Sequence, residues 1–287
     1  MKQNLELRQA RDFGELVNDT FVFARQNLKP LAKSLFTICG FFMAAGIVTS
    51  IIQQNKIMSL ASRGGMPTAF SAMGVEFFLS AVVSGIAYAL LALTTYCYIT
   101  LYREKGNNAP SVEEVWGYVK YFFWRFIGVQ ILLSLLLMAG TVLCILPGVW
   151  LFPILTVMGA MLVFENATLG YVFDRGFKLV KNEWWTTFGA LFIIAIVIYG
   201  LFMLFLIPAG LLTGASMFLM NAKQPTSVLI LITVLQHLCQ AFLVLLYITS
   251  ALCYFSLVEK KEGDSLMEKI NKIGKDDALT DLPGEEY

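Results

Sequence analysis

Uncharged runs divide the chain. Residues 34–52, 77–102, 126–164, 184–222 and 224–258 contain no Lys, Arg, Asp or Glu, and short polar segments separate them. A membrane-spanning helix needs about 20 consecutive apolar residues. The first, second and last runs fit one helix each, with Lys33 able to reach headgroups from the edge of the first. The third run has 39 residues. As one helix it would be about 58 Å long, nearly twice the hydrocarbon thickness. It must turn, and Leu146-Pro147-Gly148 predicts the place, giving helices over 126–145 and 148–164. The fourth run is equally long and is broken late by Pro208, Gly210 and Gly214. Hydropathy alone allows it to cross once or twice.

Charge placement chooses between the two. With six spans, segments 1–33, 103–125, 165–183 and 259–287 share one side and hold 18 of the 21 Lys and Arg residues. The other side holds Lys56, Arg63 and Lys223. Basic residues collect on the cytoplasmic side of a membrane protein, so both termini are expected there. A seventh span would put the basic residues of 260–275 outside. Segment 209–220 therefore reads as a Pro-broken extension of span five, or as a partly re-entrant piece. Trp116, Trp124, Trp184 and Trp185 then fall at the cytoplasmic interface and Trp150 near the outer one, where indole rings are favoured.

Composition agrees. Hydrophobic residues make up 57% of the chain and charged ones 14%, against roughly 25% charged in a soluble domain. This excludes a disordered, fibrous or disulfide-built chain. The net charge of +1 gives no electrostatic basis for binding nucleic acid. Cys39, Cys97, Cys144, Cys239 and Cys253 all lie in apolar stretches with no C-x-x-C pair, so they are expected to be small buried hydrophobes rather than disulfide or zinc ligands. The first 30 residues lack the short apolar core and cleavage site of a signal peptide, so the first membrane helix is expected to stay in the mature protein.

An amphipathic pattern precedes every second span. Asp12 and Glu15 mark a helix start, followed by Phe13, Leu16, Val17, Phe21, Ala24 and Leu28 at helical spacing; Pro30 then predicts the start of span one. Ser111 and Glu114 have capping-box spacing, followed by Val115, Trp116, Val119, Phe122 and Phe123. Before span five come Leu169, Val172, Phe173, Phe177 and Val180, with Asp174, Arg175, Lys178 and Lys181 opposite. Each unit reads as an amphipathic helix, an elbow and a helical hairpin. The expected architecture is an all-α integral membrane protein: six transmembrane helices in three hairpins, each preceded by a cytoplasmic interfacial amphipathic helix. Residues 1–258 form one transmembrane domain, with units near 12–102, 111–164 and 168–258. Lys29, Arg125, Arg175, Lys178, Lys181, Trp184 and Trp185 are the expected lipid-headgroup contacts. The alternative is that these helices pack beneath the bundle as connectors. The tail, 259–287, has net charge −4; Ser265 and Glu268 suggest one short helix before a polar, partly disordered end.

Leu146-Pro147-Gly148-Val149-Trp150, Val163-Phe164-Glu165, Arg175-Gly176-Phe177-Lys178-Leu179-Val180-Lys181 and Trp184-Trp185-Thr186-Thr187-Phe188-Gly189 resemble the membrane domain attached to some bacterial glycerophosphodiester phosphodiesterases, and its stand-alone multi-pass relatives of unknown function. The likeness is close over about 45 residues and loose elsewhere. That family usually has serine and an aromatic after the arginine, where this chain has Gly176 and Phe177. The resemblance implies a helical membrane protein of the bacterial cytoplasmic membrane. It does not imply the phosphodiesterase reaction, which belongs to a separate soluble domain.

Reactive chemistry is sparse. The chain has one histidine, His237, and no phosphate loop, metal-ligand spacing or nucleophile elbow. No catalytic residue, metal or cofactor is expected, and the chain is read as non-enzymatic. Glu76 and Glu165 sit at span ends, and an ion-coupled carrier would place such groups near the midplane. One intramembrane constellation stands out. Thr233, Gln236, His237 and Gln240 share a face of span six, continued by Tyr247. Gln130 and Ser134 on span three, and Ser80, Ser84 and Tyr88 on span two, are possible partners. The face is either an interhelical clamp or a polar cavity. Small residues at four-residue spacing, Ala81/Gly85/Ala89 and Gly210/Gly214, suit close helix packing. Two functions follow: a scaffold or accessory subunit of a membrane complex, or a lipid-engaging protein, with membrane lipids and a protein partner or second copy as its contacts; alternatively, a transporter or lipid-handling protein that uses the span-six cavity.

Overall fold

The computed structural model describes residues 5–61, 73–143, 145–219 and 226–263, which contain helices and turns and no strand. Six segments are long and apolar enough to cross a membrane: Phe13–Leu60, Val75–Glu104, Val112–Leu143, Ile145–Phe164, Leu169–Pro208 and Ile230–Glu262. The helices are α1 (Phe13–Ala61), α2 (Val75–Glu104), α3 (Val112–Leu143), α4 (Ile145–Phe164), α5 (Leu169–Val180), α6 (Trp184–Leu219), α7 (Thr226–Cys239) and α8 (Val244–Glu262). A 3₁₀ turn, Lys181–Glu183, joins α5 to α6, and another, Gln240–Leu243, joins α7 to α8.

Local signals set the helix starts. Glu15 N–H donates to Asp12 Oδ1 at 2.8 Å and Asp12 N–H to Glu15 Oε2 at 2.9 Å. Ser111 N–H donates to Glu114 Oε2 at 2.8 Å, and Glu114 N–H to Ser111 Oγ at 3.3 Å. Both are reciprocal capping boxes, which satisfy amide donors that a helix start leaves unpaired. At the other end, α8 stops at Gly263, whose φ of 60° only glycine adopts without strain.

Three boundaries differ from the sequence reading. Pro30 does not start a span; it lies inside α1, which runs on from the amphipathic segment without an elbow. Likewise α3 is continuous from Val112 through the expected elbow at Trp124-Arg125. Only the third unit has a break, at Lys181–Glu183. Leu146, Pro147 and Gly148 are not the turn but the opening of α4, where a proline loses no helical hydrogen bond. Helix α3 ends at Leu143 and α4 begins at Ile145. Gly148 is needed there: a Cβ on it would lie 2.2 Å from Thr141 Cγ2 and 3.1 Å from Thr141 Cα. Helix α6 continues through Pro208 to Leu219, so 209–219 extends span five. Residue 220, Cys144, Arg63, Lys223 and the tail from 264 lie outside the described residues.

The core is built from α2, α4 and α8. Residues 89–102, 157–164 and 248–258 are buried at every position, as expected for a helix apolar all round that is enclosed by others. Rings lock them together: Tyr96 lies 5.8 Å from Phe164 and 5.9 Å from Tyr247, and Phe164 lies 4.8 Å from Phe255. The amphipathic segments wrap this core. Helix α3 buries Val115, Val119, Phe122 and Phe126, and α5 buries Val172, Gly176, Leu179 and Val180. On α1 the buried face is rotated from the predicted one. Leu16, Thr20, Phe23 and Asn27 face inward, while Phe13, Phe21 and Leu28 are exposed. The polar pair is drawn in by its partners: Thr20 Oγ1 meets Thr249 Oγ1 at 3.1 Å, and Tyr98 OH donates to Asn27 Oδ1 at 2.9 Å.

Candidate functional site

The predicted polar face divides in two. Thr233, His237 and Gln240 are buried, and Gln236 is exposed. Helix α1 supplies most of the partners. Gln54 Nε2 donates to Thr233 Oγ1 at 3.0 Å, and Thr233 Oγ1 lies 3.2 Å from Gln54 Oε1. Ser50 Oγ lies 3.4 Å from His237 Nε2, and His237 Nδ1 lies 2.9 Å from the Thr233 carbonyl. Gly46 lets the imidazole approach: a Cβ there would be 3.1 Å from His237 Nε2. Gln240 neighbours Tyr88 on α2. Tyr88 was anticipated from sequence; Ser50 and Gln54 were not. The signal for them is the polar cluster Gln53-Gln54-Asn55, which follows the first apolar run.

Gln130 and Ser134 do not join this cluster. They line a separate cavity of about 210 Å³ with Tyr96, Thr156, Leu155 and Tyr247. Ser134 Oγ donates to its own helix at Ile131 O, 2.8 Å. Tyr96 OH donates to Ser250 Oγ at 3.2 Å, and Ser250 Oγ to Thr156 O at 3.0 Å, which closes the wall between α2, α4 and α8. Among the described residues, no charged side chain lines this cavity.

Charged groups gather where α1 begins and where α2, α4 and α8 end, here called the basic end. Arg11 is 1% exposed. Its Nε donates to Asp19 Oδ2 at 2.7 Å and its Nη1 to Leu7 O at 2.8 Å; its Nη2 donates to Glu6 O. Its backbone N–H donates to Ser256 Oγ at 2.9 Å, fixing the start of the chain to α8. Nothing in the sequence singles out Arg11 from its polar neighbours. A second clasp ties α4, α5 and α8. Arg175 Nε lies 3.2 Å from Glu165 Oε1, Arg175 Nη2 donates to Glu262 Oε1 at 2.6 Å, and Tyr254 OH donates to Glu165 Oε1 at 2.6 Å. Lys260 donates to Glu183 at 2.9 Å and Lys261 to the Lys178 carbonyl. Lys260 holds the Glu183 carboxyl below its ordinary value, outweighing burial.

The expected headgroup contacts therefore separate. Arg175 is bound within this clasp. Arg125 donates to Asn166 Oδ1 at 2.7 Å, to Asn166 O at 2.8 Å and to Ala167 O, capping the chain after α4. Lys29, Lys178, Lys181 and Trp185 are exposed. Trp184 is half-buried, and its Nε1–H donates to Trp150 O at 3.0 Å. Trp150 and Trp184 thus lie side by side, not at opposite interfaces. The cause is α5, which crosses α4 with Gly176 against Met158 and stacks Phe177 on Trp150 at 6.0 Å. The start of α6 is carried there with it.

Cys39, Cys97, Cys239 and Cys253 are buried free thiols. Among the described residues, no three His, Cys, Asp or Glu side chains converge to hold a metal ion. No known protein family, curated protein or solved structure matches the chain.

Proposed function

We propose that this chain is a non-enzymatic multi-pass protein of the bacterial cytoplasmic membrane that acts as a scaffold or accessory subunit and engages lipid. Both termini are cytoplasmic in this reading, on the strength of the basic residues at one end. The spans form three hairpins, each entered through an amphipathic segment at the headgroup level, and the chain is kin to the phosphodiesterase-associated membrane domain. One observation carries the proposal. Thr233 and His237 of the last span are matched by Gln54 and Ser50, as an interhelical clamp requires, while the basic end is fixed by ion pairs around exposed Lys178, Lys181 and Trp185. That end suits a docking platform.

The test is native mass spectrometry of the full chain, extracted into lipid nanodiscs from its source membrane. A stoichiometric second protein is the expected result. A lone chain that retains one solute overturns the scaffold. The cavity at Gln130 and Tyr247 favours the second reading, a transporter or lipid-handling protein, and that outcome would move attention there.

A further inference from the structure

A second cavity, of about 520 Å³, opens at the basic end between α2, α3 and α4. Small-molecule sites occupy roughly 300–1,000 Å³. Tyr118, Tyr121, Phe122 and Phe164 supply aromatic walls, and Glu104 is the one charged side chain among the described residues that line it. Tyr118 OH donates to Glu104 Oε2 at 2.9 Å, which holds that hydroxyl above its ordinary titration range, with burial adding to the effect. A carboxylate has about four acceptor sites, so Glu104 keeps room for another donor.

Two of the nearby cations, Lys105 and Arg125, are occupied elsewhere. Lys105 Nζ donates to both Glu114 oxygens, at 2.6 and 2.7 Å. The Arg125 guanidinium is turned to Asn166 and Ala167. Arg103 lies over the Phe255 ring at 5.5 Å, outside the cavity lining, and also shares a charge interaction with Glu104. What faces the cavity is a carboxylate and π-faces, and both attract cations and repel anions.

We propose that this cavity binds an alkylammonium group, its nitrogen on Glu104 and its carbons against Tyr118, Tyr121 and Phe164. The amine of an aminophospholipid headgroup and a free small amine share this chemistry. The proposal does not depend on the scaffold reading, because it needs no partner protein.

Gly117 provides a test. It lines the cavity, and a Cβ on it would meet no atom within 4 Å. Gly117→Phe therefore adds a ring at the cavity wall from a position where the first carbon meets nothing, and Glu104→Gln removes the charge. The purified full-length chain is placed in phosphatidylglycerol nanodiscs carrying a minor fraction of phosphatidylethanolamine, and retained lipid is read by native mass spectrometry. Ethanolamine and tetramethylammonium are titrated into the same protein in detergent by calorimetry. Wild type is expected to retain phosphatidylethanolamine over phosphatidylglycerol or to bind the soluble amines, and either variant to weaken this about tenfold or more. Lipid retention alone identifies the headgroup as the source, and titratable soluble amine identifies a free ligand. Retention of the two lipids in proportion to their share of the nanodisc, with no amine bound, overturns the site, as does unchanged binding in both variants. Should Glu104→Gln fail to fold, Gly117→Phe decides alone.

Discussion

The two halves of the last span are both apolar and meet different surroundings. Helix α8 is buried at every position from Ile248 to Val258, whereas α7 exposes Leu231, Gln236 and Leu238. The 3₁₀ turn Gln240–Leu243 divides them. Small hydroxyls knit α8 to its neighbours: Thr249 to Thr20, Ser250 to Thr156, and Ser256 to Arg11. Helix α7 uses a few larger groups, Thr233 and His237, against one side of α1. Hydropathy scores a lipid-facing leucine and a protein-facing one alike. The size and partners of the polar residues separate the two environments. The basic end is a packed protein interior, whereas among the described residues of the opposite end Val142 and Leu143 are 81% and 84% exposed.

The largest effect should come from Arg11. Arg11→Ala leaves Asp19 and three backbone carbonyls, those of Glu6, Leu7 and Gln9, without their donor, and breaking such a site costs about 3–5 kcal/mol. Gln236→Leu, at the exposed end, should change stability by less than about 0.5 kcal/mol. Denaturant unfolding in one detergent measures both. Equal losses would erase the distinction between the two ends.

Glycines sharpen it next. Gly148→Ala puts a Cβ 3.1 Å from backbone and 2.2 Å from the Thr141 methyl, an overpacking worth about 1–3 kcal/mol. Gly176→Ala meets only the Met158 side chain, at 2.5 Å, and a flexible thioether can move, so about 1 kcal/mol is expected. Gly200 meets nothing within 4 Å; Gly200→Ala should be neutral, or stabilise by up to about 1 kcal/mol through helix propensity. Thermal melts that fail to follow this order would show that the close approach between α3 and α4 is not a real constraint.

The clamp of α7 is weaker. His237→Ala and Gln240→Ala should each cost roughly 0.6–2 kcal/mol with expression intact. Loss of a transport or binding signal at unchanged stability would instead support the polar-cavity reading.

Much of this fold is legible in the sequence because it rests on local signals. Uncharged runs mark the six apolar helices, and Asp12/Glu15 and Ser111/Glu114 mark two helix starts. Other features need the third dimension. Pro30 and Pro208 stop nothing, because a long helix can carry a proline when its other turns stay bonded and packed. The inward face of α1 depends on what Thr20 and Asn27 meet across the bundle. The clustered Thr233, His237 and Gln240 follow from helical spacing, but their closure by Ser50 and Gln54 depends on which helix lies opposite. Trp150 and Trp184 were misplaced because hydropathy does not register the crossing at Gly176.

The smallest effect is an acid-sensitive one at the basic end. Lys105 binds both oxygens of Glu114, and the Ser111 amide and hydroxyl add to it. These contacts, Lys105 first, push the Glu114 carboxyl from 4.5 down to about 2. The folded form therefore holds fewer protons than the unfolded chain between those values. The cap's contribution is fully present above about pH 4.5 and is lost as pH falls toward 2. Because Glu114 is exposed, the contribution is small and salt-screened. Melting wild type and Glu114→Gln in parallel isolates it: wild type should be the more stable above pH 5, with the gap closing as pH approaches 2. A gap that stays constant across that window would assign the start of α3 to packing by Val115 and Val119, and would leave the capping box without a measurable share in the rigidity of this end.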